Sequence, residues 1–379
     1  MKIKQIELMT FSSKFGKKKS FGSPKSLKIV SLIKIHTDSN TVGFGEIYLG
    51  IYLSPKIISE IVNLIEKMIK YKDPIKLIEN NFFPHIPFVS RNGLFNSIYS
   101  GIDIALWDIY AKYKKKPLHK CFSNKKNLYK IYSSGGMIKD KFKEIERDII
   151  QASKFNHKGF KIRAGLFSWQ SDKKKIQHAK KITKKLNMSL MVDMIMGTIK
   201  PPKSYFFYKD KLKFLSKLKL KWLEEPFHPD NAEDHLRLKK NKFIKIASGE
   251  SLNSILEYDY YIKNKLVDII QLDVTHCGGF SKAIQIINIA KKYNCTVALH
   301  VWGSKIAQLA NAHLAFAFDN IKWLETPVVE PSLNKFIISK IDEKIHLQNQ
   351  SLDSGLGITL IDKNIRNKFN YVKGSEYNV

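Results

Sequence analysis

The chain has 379 residues, 44% of them hydrophobic, and carries a formal charge of +31. Its length predicts two domains with sizeable cores, and it holds no run of about 18 apolar residues that would predict a membrane span. The charge does not read as a nucleic-acid footprint: five of the 65 basic residues are Arg, the side chain best suited to bidentate phosphate contacts, and the Lys are spread over the whole length.

The opening MKIKQIELMTF alternates polar and apolar like a strand. It lacks the continuous apolar core of a signal peptide, so a cytoplasmic enzyme is expected. Two more strand-like runs follow, SLKIVSLIKIHTD and TVGFGEIYLG, with a turn at residues 39–41. Between the first two lies a polar Lys- and Gly-rich stretch, around 13–26, that reads as a mobile lid. From Pro55 the period becomes helical. SPKIISEIVNLIEKMIKYKD offers Ser54 as N-cap and Pro55 in the first turn, and LFNSIYSGIDIALWDIYAKYKKK makes a second helix. Residues 1–125 are therefore expected to form an α+β unit. The basic clusters at 14–20 and 112–120 read as solvated surface, a field that can concentrate an anionic substrate. Cys121, Cys277 and Cys295 have no CxxC spacing, so neither a zinc cluster nor a disulfide framework is expected.

From about residue 126 strands and helices alternate. IYSSGG is the first strand, and helices are expected after each strand to about 340. Seven functional positions then recur, almost every one at a strand end: Lys161 with Arg163, Asp193, Glu224, Glu250, Asp273, His300 and Glu325. The steps from Lys161 are 32, 31, 26, 23, 27 and 25 residues. Functional groups at the ends of successive strands of a β/α repeat are the mark of an active site at the mouth of a (β/α) barrel. The expected domains are 1–125, joined by the tail at about 346–379, and a barrel over 126–345.

The chemistry of these groups is partly readable. Asp193, Glu224 and Glu250 end three consecutive strands. Carboxylates about 4 Å apart repel by roughly 4 kcal/mol at an effective dielectric near 20, so a cation must offset them. Three hard oxygen donors without Cys or a second His suit Mg²⁺ rather than zinc; the plain alternative is salt bridging to the many Lys. In GFKIRAG, Phe160 and Ile162 face one side of a strand and Lys161 and Arg163 the other. Both cations then point into the barrel mouth, where they could hold a substrate carboxylate. Asp273 and His300 lie on adjacent strands, an arrangement in which the carboxylate fixes the imidazole tautomer and leaves the other nitrogen as a base. Glu325 could exchange a proton with the reacting oxygens.

The order KxR, D, EEP, GE, D, H and WLE resembles the mandelate racemase subgroup of the enolase superfamily. SGIDIALWD (100–108), CGGFSKA (277–283), HVWGS (300–304) and SGLGI (354–358) fit the same likeness. The resemblance implies a (β/α)7β barrel under an α+β cap whose loops, here about 13–26 and 48–53, close on the substrate. Tyr48, Tyr52 and Arg91 are candidate contacts. It also implies Mg²⁺ on Asp193, Glu224 and Glu250, a His300–Asp273 dyad, an electrophilic or acid role for Glu325, and Lys161 neutralising a developing enolate. A homo-oligomer acting on a small sugar acid is the expected state, without nucleic-acid or membrane partners. Two departures stand out. Racemases of the subgroup place a second Lys where this chain has Arg163, and a frequent Asn is replaced by Ile195. With one competent base, a dehydratase is favoured over a racemase or epimerase, and a sugar-acid cycloisomerase is the alternative.

Overall fold

The computed structural model describes residues 1–14, 25–137, 141–240, 242, 244–342 and 344–377. Its first sheet is an antiparallel meander of β1 (Ile3–Lys14), β2 (Leu27–Thr37) and β3 (Val42–Ile47). β1 runs past the apolar alternation of its sequence and stays paired with β2 up to Lys14 opposite Leu27. The backbone ladder carries the polar Ser12 and Ser13 into the strand. The lid expected over 13–26 falls mostly on residues 15–24, which lie outside the described residues. The turn between β2 and β3 places Asn40 at φ 61°, a left-handed conformation that Asn tolerates.

Helix α1 (Pro55–Ile69) starts with Pro in its first turn, but Ser54 makes no side-chain cap bond. It buries Ile58, Val62, Ile65 and Ile69, one face at helical spacing. Helix α2 (Pro74–Glu79) is capped by Asp73, whose Oδ1 accepts from Ile75 N–H at 2.9 Å. Helix α3 (Gly93–Tyr113) lies against β3 at backbone distance. A Cβ built on Gly45 would stand 1.9 Å from Gly101 O, and one on Gly43 2.1 Å from Ala105 O. Gly45→Ala is therefore expected to cost about 3 kcal/mol, the upper range for overpacking a tight core. Urea unfolding measures it, and an unchanged midpoint would mean that α3 moves off the sheet freely.

The second unit is a closed barrel of eight parallel strands: β4 (Lys130–Ser134), β5 (Gly159–Arg163), β6 (Ser189–Asp193), β7 (Leu223–Glu224), β8 (Ile246–Ser248), β9 (Ile269–Leu272), β10 (Thr296–Leu299) and β11 (Ile321–Pro327). Each strand up to β10 is followed by helix. β11 is followed by a short 3₁₀ turn, Ser332–Phe336, so the barrel's helices end at Ala317 rather than near 340, and one more short helix, Ile365–Lys368, lies in the tail. This is the (β/α)7β form. Phe160 and Ile162 pack outward into the main core. Tyr132, Met191, Trp222, Ala247, Ile269, Ala298 and Trp323 form a separate buried cluster contributed from around the barrel, an apolar floor below the site. The tail forms an antiparallel pair, β12 (Ile337–Ser339) with β13 (Ile358–Ile361). Leu356 N–H donates to Asp108 of α3 at 2.8 Å. Among the described residues no helix is long and apolar enough to cross a membrane.

Two buried carboxylates tie the first unit to the barrel. Asp103 on α3 accepts from Ser281 N–H at 3.0 Å and from Ser281 Oγ at 2.6 Å, at the start of helix Gly279–Lys292. A Cβ on Gly279 would meet Asp103 Oδ2 at 2.3 Å, and its φ is +77°, so the GG of CGGFSKA is needed both for conformation and for this approach. Glu46 on β3 accepts from Ser304 N–H at 2.9 Å, Ser304 Oγ at 2.6 Å and Ala307 N–H at 3.1 Å. It sits on the N-terminus of helix Lys305–Ala317, where the helix dipole favours an anion.

Candidate active site

The inward positions of the strand ends converge above the apolar floor. Two floor side chains hold the lowest acids: Trp222 Nε1–H donates to Glu224 at 2.8 Å, and Tyr132 O–H donates to Glu325 at 3.2 Å. Lys161 stands among the carboxylates. Its Nζ is in tight contact with Glu224, 3.0 Å from Glu325 and 3.7 Å from Asp193. Burial alone would lower the lysine pKa, but Glu224, Glu325 and Asp193 outweigh it and hold it well above the ordinary value. Arg163, next along the same face of β5, approaches Asp193 at 3.9 Å and lies 4.6 Å over the Trp302 ring.

Asp273 and His300 are the first residues beyond β9 and β10. His300 Nδ1–H donates to Asp273 Oδ2 at 2.9 Å. Asp273 Oδ1 accepts from Thr275 N–H at 2.9 Å, Thr275 Oγ at 2.8 Å and Asn311 Nδ2 at 3.1 Å. The carboxylate is thereby locked and fixes the imidazole tautomer. The other ring nitrogen, Nε2, faces Glu250 at 3.6 Å. Burial would depress the His300 pKa, but Glu250, the Asp273 bond and Glu325 carry it up to about 10. Glu325 would be raised by burial, yet Lys161, His300 and Arg163 hold it down to about 2.

The three acids expected to share a metal divide their contacts. Asp193 and Glu224 pair in register and both meet Lys161, while Glu250 turns toward His300. Among the described residues no three His, Cys, Asp or Glu side chains are gathered so as to hold an ion. The donor chemistry nevertheless fits a divalent cation. Burial raises Asp193 to about 6, helped by Glu224 against the pull of Lys161 and Arg163. Glu250 is raised well above its ordinary value by burial, with Glu225 adding to it, and its buried Oε2 has no hydrogen-bond partner. These are hard oxygen donors in surplus negative charge, the condition that Mg²⁺ relieves.

Several further residues surround this centre. Glu225, the second acid of EEP, is buried at φ 39°. Its carboxylate accepts from Gly197 N–H and Ser251 Oγ, both at 3.3 Å, and burial with Asp193 and Glu224 raises it to about 7. Ile195 also holds a positive φ, 49°, a strained state for a β-branched residue. Its N–H donates to Asp193 Oδ1 at 2.8 Å and its carbonyl accepts from the hydroxyl of Thr198, which lines the cavity, at 3.0 Å. Tyr48 sets its ring edge against His300, with centroids 5.7 Å apart, and Tyr52 lies beside it. Arg91 is exposed and is not among the cavity-lining residues; its backbone carbonyl accepts from Asn96. The alternation of HVWGS could have placed Trp302 on the face of His300. No local signal could have found Tyr377, which also lines the mouth.

Two connected cavities result. The inner, about 80 Å³, is lined by Lys161, Arg163, Asp193, Glu250, His300 and Trp302 among others. The outer, about 540 Å³, is lined by Glu225, Ser251, Asn253 and His276, and the two share Tyr48, Tyr52, Thr198, Glu250 and Tyr377. A small anion could be held in the inner one beside a cation and an imidazole, with its remaining chain in the outer.

Comparison with known proteins gives the lineage. The enolase C-terminal domain-like family matches residues 143–364. The chain is 27% identical over 342 residues, 87% of each chain, to arabinonate dehydratase of Saccharolobus solfataricus. It is 26% identical over 289 residues to D-galactarolactone cycloisomerase of Agrobacterium fabrum, covering 74% of this chain and 73% of that one. The crystal structure of an enolase superfamily member from Polaromonas sp. JS666 superposes with a TM-score of 0.86 over all of both chains at 24% identity. With its capped barrel, its strand-end acids and this family match over more than half its length, the chain belongs to the enolase superfamily, on the mandelate racemase side of it.

Proposed function

We propose that the protein is a Mg²⁺-dependent sugar-acid dehydratase. The observation that carries this reading is the single oriented imidazole of the inner cavity, His300 locked by Asp273, together with cations that cannot serve as a second base. A guanidinium such as that of Arg163 is by its chemistry a poor proton acceptor, and the Lys161 ammonium is engaged by three carboxylates. Inversion needs a base on each face of the carbon; elimination runs with one.

Asp193, Glu224 and Glu250 would hold the Mg²⁺, which members of this superfamily typically bind. The ion would supply Lewis-acid polarisation of the substrate carboxylate. The chain's own groups do the rest. Lys161 stabilises negative charge as it develops on the carboxylate oxygens. His300 Nε2 takes the proton from the carbon next to the carboxylate. Glu250, 3.6 Å from Nε2, is the main influence that raises the His300 pKa, and a bound cation would offset it. The electron pair of the resulting enediolate expels the 3-hydroxyl, which leaves as water with the imidazolium proton. Glu325, held ionised by Lys161, is a poor donor for that step and serves as the partner that keeps Lys161 in place. The enol then ketonises to a 2-keto-3-deoxy acid.

The test is incubation with Mg²⁺ and a panel of aldonates and aldarates, followed by assay for 2-keto acids. Absence of 2-keto acid across the panel would overturn the reading. The likeness to a galactarolactone cycloisomerase supports a second reading, in which the same proton transfer expels a ring oxygen. Mass analysis separates the two, since ring opening loses no water. Mg²⁺ itself is expected to raise the unfolding temperature. At a hundredfold excess over its dissociation constant a ligand adds about 2.7 kcal/mol, roughly 3 °C for a chain of this size. Glu250→Gln should lose most of that shift; an equal shift in the variant would remove Glu250 from the binding set.

A further inference from the structure

The tail beyond β13 returns to the barrel mouth and delivers one side chain into it. Val372 N–H donates to Ser12 Oγ at 2.9 Å, and Ser375 Oγ lies 3.0 Å from the same oxygen. Tyr377 N–H then donates to Ile51 O at 2.8 Å. The Tyr377 ring stands edge-on to Tyr52, centroids 5.9 Å apart at 81°. It is 8% exposed and packs in one cluster with Ile51, Met137, Trp302 and Val329. Five separate stretches of chain thus build one apolar and aromatic wall. The inner and outer cavities meet at this wall, since Tyr48, Tyr52 and Tyr377 line both.

An acid whose carboxylate lies in the inner cavity must run its remaining carbons outward past these rings. A two-carbon acid ends before the outer cavity; a six-carbon acid does not. An aromatic ring at such a place offers rigid contact area to the C–H faces of a polyol while leaving its hydroxyls to polar neighbours. Here those are Ser251 and Asn253.

We propose that Tyr377 is a specificity-determining residue whose ring contacts the outer carbons of the substrate and so selects for chain length. This rests on the sugar-acid reading above. The test is titration calorimetry in Mg²⁺ with D-gluconate, D-galactonate and D-arabinonate against glycolate, using wild type and Tyr377→Ala. The variant should bind the longer acids about tenfold more weakly, the equivalent of one well-made aromatic contact, with glycolate changed less than twofold. Should Tyr377→Ala fail to fold, Tyr377→Leu keeps the apolar packing against Ile51 and Val329 and should give the same selective loss. Equal weakening of long and short acids, or unchanged binding, overturns the proposal alone. Wild-type protein that binds none of these acids overturns the sugar-acid reading and this proposal with it.

Discussion

His300→Asn is expected to cut turnover about a thousandfold while leaving the Michaelis constant within a few-fold of wild type. Asparagine has a similar reach and can keep a donor toward Asp273, but it cannot accept the α-proton. A positioned general base contributes roughly 10²- to 10⁴-fold, and among the described residues lining the inner cavity there is no second imidazole to take over. Two measurements check it. Release of 2-keto acid gives the rate of the whole reaction, and deuterium uptake at the α-carbon in D₂O reports the first proton transfer alone. Both should fall together. A variant that turns over at the wild-type rate would remove His300 from the base role. A variant that loses elimination but keeps α-exchange would leave His300 the proton donor to the leaving group and place the base elsewhere.

Lys161→Met is expected to destabilise the fold by about 3–5 kcal/mol in the presence of a chelator. The substitution keeps a long straight chain but strands Glu224, Glu325 and Asp193 without their common cation, and removing one partner of a buried ionic group carries a cost of that size. Wild-type stability is thus expected to depend on an ammonium that makes almost no contact with water. Two further outcomes follow from the geometry. Mg²⁺ should restore part of the loss, because it supplies positive charge to the same acids. Pairing the substitution with Glu325→Gln should cost less than the sum of the two single changes, since contacting residues in one network couple. Urea denaturation measures all three. A Lys161→Met protein as stable as wild type would mean that the acids are protonated or solvated without it.

The fold was largely legible because its period is long and its punctuation is chemical. A strand of four or five apolar residues ending in one charged group recurs from Lys161 to Glu325, and that placement is hard to produce except at a barrel mouth. Alternation within GFKIRAG separated Phe160 and Ile162 from Lys161 and Arg163, and the structure has the first pair in the outer core and the second in the cavity. What could not be read was long-range. Nothing near Lys161 in sequence says that it will touch three acids. Glu225 sits in a legible motif, but its inward turn depends on a positive φ that the surrounding loop imposes. Tyr377 meets Tyr52 only because the tail folds back over β1. Ser54, by contrast, had a sound local argument as a helix cap and makes no such bond; the Ile57 amide that its hydroxyl would accept from donates to the Ser54 carbonyl instead, at 3.1 Å. β1 outran its apolar pattern for a similar reason, since pairing with β2 outweighs side-chain preference.

Glu46 has a bearing on how such proteins diversify. The helix that follows the His300 strand begins on a carboxylate borrowed from the other unit, buried and bonded to two backbone amides and a hydroxyl. A barrel excised at its boundaries would leave that helix end, at the loop that carries the base, with the Ser304 cap on Ile306 N–H but without its anion. Recombination that swaps one cap for another therefore has to transmit an acid at this position of the third strand, or lose the alignment of the base along with the old lid. Substrate range can drift through the loops, while the grip between the two units has to be inherited as a pair.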